Sequence, residues 1–177
     1  FITKGALDNV LEVCSHVQWA NEGKLLLDEG LRKRINDDFI EYSQQGYRVL
    51  GLSYKSMPAG KMSREDEKEM IFLGFILLED PLKESAAASI KQLEALHIRI
   101  KIITGDNRFA AAHVAQNIGL KNPVILTGTE LRKVLPEALA VKVSNTDIFA
   151  EIEPQQKELI IKSLQKSNLT VAYIGDG

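Results

Sequence analysis

The sequence predicts an α/β protein built in two parts, and three observations carry that expectation. After Asp80, strand-like and helix-like segments alternate regularly, which implies a parallel sheet with helices on both faces. Two of those strand-like runs end in a glycine–aspartate pair. Arg99-Ile100-Lys101-Ile102-Ile103 leads into Thr104-Gly105-Asp106, and Thr170-Val171-Ala172-Tyr173-Ile174 leads into Gly175-Asp176-Gly177. Before Leu78-Glu79-Asp80-Pro81, helices and strands are joined by longer irregular links, the pattern of an α+β unit.

The first part opens with a helix expected over Ala6–Cys14, because Leu7, Val10, Leu11 and Cys14 fall at i, i+3, i+4 and i+7. A second helix is expected over Asp28–Gln45, with Leu31, Ile35, Phe39 and Tyr42 on one stripe and Gly46 as its C′ residue. Tyr47–Tyr54 reads as a strand with Tyr47, Val49, Gly51 and Ser53 on one face. Pro58 to Lys68 is polar and reads as a surface excursion, and Ile71–Leu78 as a returning strand.

In the second part, Pro81–Leu96 reads as a helix with Asp80 as N-cap and Pro81 at its first position. Strand Arg99–Ile103, helix Asn107–Ile118 ending at Gly119, and short strand Val124–Leu126 follow. A helical stretch over Thr129–Val141 is interrupted at Pro136. Strand Asp147–Ile152, helix Pro154–Lys166 and strand Leu169–Ile174 complete the series. No internal repeat or low-complexity tract interrupts it.

Bulk composition narrows the function classes. The 177 residues are 45% hydrophobic and 26% charged with a formal net charge of −2, so no basic field invites nucleic acid. The single Cys14 excludes an intrachain disulfide and fits a reducing compartment. No apolar run reaches the roughly 18 residues of a membrane span. The chain begins at Phe1 and stops within the second glycine–aspartate motif, so an internal fragment of a longer protein is expected.

Each motif has a chemical reading and a plain one. Thr104-Gly105-Asp106 precedes a helix, where free amides and the positive dipole end favour a phosphate; equally, Asp106 serves as a simple N-cap. Asp176 at a strand end suits Mg²⁺, which takes a few oxygen ligands beside a substrate phosphate, or else belongs to a tight turn. Lys157 in a helix's first turn opposes the dipole unless an anion lies nearby; most such lysines are merely solvated. Lys4-Gly5-Ala6 is a weak signal by itself. His16, His97 and His113 have no ligand spacing, and Trp19 reads as a packing residue.

Taken in order, Lys4-Gly5-Ala6, Asp80-Pro81-Leu82-Lys83, Thr104-Gly105-Asp106-Asn107, Phe149-Ala150…Pro154…Lys157 and Gly175-Asp176-Gly177 resemble the cytoplasmic part of P-type cation-transporting ATPases. The opening KGALDNVLEVCSHV and the run FILLEDPLKESAAASIKQLEALHIRIKIITGDN look most like the magnesium-transporting branch. The resemblance implies that residues 1–79 are the C-terminal part of a nucleotide-binding domain. Residues 80–177 would be part of a phosphorylation domain with a Rossmann-like, haloacid-dehalogenase-type sheet, without the strand that bears the phosphorylated aspartate. It implies ATP and Mg²⁺ as cofactors and a parent at the cytoplasmic face of a bacterial or archaeal membrane.

Residue by residue, the resemblance puts Lys4, with Gly5, at the adenine, Arg48 at the nucleotide phosphates, and Asp80-Pro81 at a hinge. Thr104 and Gly105 would contact the transferred phosphoryl group, with Asp106 near ribose and hinge. Lys157 would neutralise phosphoryl charge, and Asp176 would bind Mg²⁺. The DKTGT motif that carries the phosphorylated aspartate does not occur in this sequence. Glu151 stands where the family often has Arg, Ile174 where Thr is commoner, and Leu82-Lys83 where Pro-Arg is usual. The rival readings are a P-type ATPase for calcium or another cation, a soluble haloacid-dehalogenase-type phosphatase, and a non-catalytic nucleotide-binding module.

Overall fold

The structure, a computed structural model, describes residues 1–19, 22–58, 60, 63–79, 81–167 and 169–175, and for Arg64 the backbone alone. The chain divides into two compact units, Phe1–Asp80 and Pro81–Gly177.

The first unit is a five-stranded mixed sheet in the order β1-β4-β5-β2-β3, from β1 (Ile2–Gly5), β2 (Cys14–Trp19), β3 (Gly23–Leu26), β4 (Arg48–Tyr54) and β5 (Met70–Leu78). β2 runs parallel to β5, and the other pairs are antiparallel. Helices α1 (Leu7–Glu12) and α2 (Glu29–Gln44) contribute to a core of Leu7, Val10, Leu11, Cys14, Val17, Leu27, Ile35, Met70 and Phe72. The alternation of β4 sorts its side chains: Val49, Gly51 and Ser53 are buried, while Arg48, Leu50, Leu52 and Tyr54 look the other way. Gly51 lets α1 close on the sheet, since a Cβ there would stand 3.2 Å from that of Val10.

The termini of α2 follow from its sequence. Asp28 Oδ1 accepts the Leu31 N–H at 2.8 Å, as an N-cap does. At the other end Gly46 turns left-handed (φ 93°). The N–H groups of Gly46 and Tyr47 then donate to Ser43 O and Tyr42 O, closing a Schellman motif.

The second unit holds a three-stranded parallel sheet, β6-β8-β7, from β6 (Ile102–Ile103), β7 (Ile125–Thr127) and β8 (Ile148–Ala150). Its helices are α3 (Ala86–Ala95), α4 (Arg108–Asn117), α5 (Gly128–Leu131), α6 (Pro136–Ser144) and α7 (Pro154–Lys166). The central strand splits the core in two. Phe149 joins Leu126, Leu131, Val143, Ile160 and Leu164 on one face, and Ile148 and Ala150 join Ala111 and Ala115 of α4 on the other. Lys101 reaches from beside β6 to donate to Ser144 O and Thr146 O, capping the end of α6.

Several expectations are corrected. The first helix stops at Glu12, and Cys14 begins the β2–β3 hairpin; β1 was likewise not expected. Residues 81–85 are not helical: α3 begins at Ala86 after Ser85, so Pro81 is not its first residue and its N-cap is not Asp80. Leu82 through Ser85 are exposed, and the half-buried positions that a helix can seat start only at Ala86. Leu169–Ile174 has no ladder partner among the described residues and is not a strand, although Val171 packs on the Phe149 side. Its apolar pattern signals burial but cannot supply the partner that a strand requires.

Candidate functional site

The Thr104–Asp106 turn sits at the carboxyl ends of the parallel strands β6 and β8. Beyond β6, the Thr104 N–H donates to Phe149 O at 2.9 Å, and Thr104 O accepts from Ile152 N–H at 3.0 Å. Asp106 O accepts the Glu151 N–H at 2.9 Å, so the Thr104–Asp106 turn is stitched to the end of β8. Within the turn, Thr104 Oγ1 donates to Asp106 Oδ2 at 2.8 Å and accepts the Asp106 N–H at 3.1 Å. Gly105 at the tip is exposed.

Asp106 is not the N-cap of α4. That role belongs to Asn107, whose Oδ1 accepts the N–H groups of both Phe109 and Ala110 at 3.0 Å. The Arg108 N–H is taken by Glu151 Oε1 at 3.2 Å. The helix amides expected to be free for an anion are therefore engaged.

A second knot ties β7 to the same edge. Thr127 and Glu130 form a reciprocal capping box at α5, with Glu130 Oε2 accepting the Thr127 N–H at 2.8 Å. That hydrogen bond, more than the nearby Arg108 charge 3.9 Å away, lowers the Glu130 carboxyl below its ordinary value. Buried Gln156 donates from Nε2 to Gly128 O at 2.8 Å and accepts the Glu153 N–H at 3.1 Å. Gly128 is dictated by close approach: a Cβ would stand 2.6 Å from Gln156 Oε1 and closer still to Glu151 O. Lys157, the next residue, is half-buried in the first turn of α7 and makes no ion pair among the described residues.

Asp80 and Asp176 lie outside the described residues. Among those that are described, no three His, Cys, Asp or Glu side chains gather to hold a metal ion. The described residues alone do not make a cation cage.

In the first unit, Lys4 pairs opposite Leu52, four residues along β4 from Arg48, so both cations lie on the sheet face away from the helices. They are about 13 Å apart along the strand direction. Leu50, Leu52 and Tyr54 lie on the same face, and Tyr54 donates its hydroxyl to Gln18 at 3.2 Å. A cavity of about 520 Å³ borders that face, lined by Ile2, Tyr54, Lys55, Met57 and Leu73 among others.

Comparison with known proteins decides the family. Residues 1–85 match the family described as "P-type ATPase, cytoplasmic domain N". The magnesium-transporting ATPase, P-type 1, of Escherichia coli K12 is 36% identical over 180 residues, covering 99% of this chain. The chain belongs to the P-type cation-transporting ATPases. The magnesium-transporting ATPase, P-type 1, of Salmonella typhimurium LT2 is 34% identical over 179 residues, and a calcium-transporting ATPase of Listeria monocytogenes is 34% identical over 180. Both again cover 99% of this chain. The chain spans about a fifth of the length of these P-type ATPase relatives (20% in each case). No helix among the described residues is long and apolar enough to cross a membrane.

Sequence reasoning missed Asn107 as the cap, Gly128 and Gln156 as the clamp, and Glu151 as a ligand of the α4 amide. Asn107 was findable, because Asn ranks with Asp at N-caps.

Proposed function

We propose that this chain forms the C-terminal part of the nucleotide-binding domain (residues 1–79) and part of the phosphorylation domain (residues 80–177) of a P-type ATPase. The parent forms an aspartyl-phosphate from Mg·ATP and uses its formation and hydrolysis to move a divalent cation, magnesium in the first instance. The second unit is a haloacid-dehalogenase-type sheet, in which the strand bearing the phosphorylated aspartate lies beside β6. In this reading Lys4 and Gly5 line the adenine site and Arg48 reaches the phosphates. Asp80-Pro81 forms the hinge, with Asp106 near it. Thr104, Gly105 and Lys157 hold the phosphoryl group, with Asp176 as a Mg²⁺ ligand. Positioning and charge neutralisation supply most of phosphoryl transfer, and these residue types provide both.

The observation that carries the reading is the shared face of Lys4 and Arg48, in the unit that matches the family's domain N. Lys4 and Arg48 on one face, with Leu50 and Leu52 beside them, fit an aromatic base at one end and a phosphate chain at the other. The magnesium choice is supported by relatives named for that ion at 34% and 36% identity. The chain by itself turns over no ATP, because it contains no DKTGT nucleophile motif.

Calorimetric titration with ATP tests this. Lys4→Ala and Arg48→Ala each weaken binding by about threefold to thirtyfold, the range for losing one charge-assisted contact. Binding indifferent to both substitutions overturns the reading and favours another nucleotide or phosphate module.

A further inference from the structure

We draw no further inference here: the strongest candidate, the apolar sheet face of the first unit that points away from α1 and α2 and carries Ile71, Ile76 and Leu78 beside Leu50 and Leu52, belongs to the site already described, and nothing in the structure shows what covers it.

Discussion

Substituting Gly128 by Ala puts one methyl group where the chain has no room for it. The new Cβ would stand 2.6 Å from Gln156 Oε1 and closer still to the carbonyl oxygen of Glu151, which is backbone and cannot swing aside. Forcing extra volume into a tight site costs about 1–3 kcal/mol. Relief by pushing Gln156 away strains its bonds to Gly128 O and Glu153 N–H, and an unpaired buried amide costs about 1–3 kcal/mol more. Alanine's narrower unfolded ensemble returns about 0.4–1 kcal/mol. The net expectation is a loss of about 2–4 kcal/mol, or about 10–20 °C in Tm for a unit of this size. Urea unfolding followed by hydrogen exchange at the β7 and β8 amides measures it. Gly30→Ala, in the exposed first turn of α2, is the contrast and should stabilise by a few tenths of a kcal/mol to about 1 kcal/mol. A Gly128→Ala chain as stable as the natural one would refute the close-packing argument for the strand-end clamp.

Three further outcomes are expected. Asn107→Ala removes the shared acceptor of two α4 amides and should cost about 1 kcal/mol in denaturant unfolding; Asp106 has no such role. Glu130 has a folded carboxyl value below its ordinary 4.5, chiefly through the Thr127 N–H, so its stabilising contribution is complete above 4.5 and disappears as pH falls through the lowered value. The stability gap between the natural chain and Glu130→Gln should therefore be constant near neutrality and close in acid; a gap unchanged at pH 2 would contradict this. The Cys14 thiol is 5% exposed and pushed above its ordinary 9.0 by burial, so iodoacetamide should label it only at the rate of unfolding, as mass spectrometry would register.

Elements with local signals were legible in the sequence. Asp28 and Gly46 bracket α2 by cap chemistry alone, and Pro154 with the Ile160–Leu164 stripe defines α7. The hairpin of β2 and β3 was hidden because Cys14 completes the helical spacing from Leu7, while β2 buries Cys14 and Val17 three residues apart across an irregularity in its pairing with β5, so no alternation marks the strand. Three residues that shape the second site depend on distant partners. Gly128 is fixed by contacts 23 and 28 positions away, and Gln156 by one of those contacts. Glu151 is fixed by the backbone of Asp106 and Arg108 across the sheet edge. No local pattern reports such contacts. Lys4 and Arg48 were singled out by resemblance, while their common face emerged only from the β1–β4 register.

In the proposed function, ATP binds the face of the five-stranded sheet that points away from α1 and α2. Mapping amide and side-chain chemical shifts of the chain during titration with ATP tests it most directly. Saturable changes are expected along the outward positions of β1 and β4, from Lys4 through Leu52 and Leu50 to Arg48, and they should diminish together in Lys4→Ala. Saturable changes confined to the helix-covered side, or no change along β1 and β4 at saturating ATP, would contradict it.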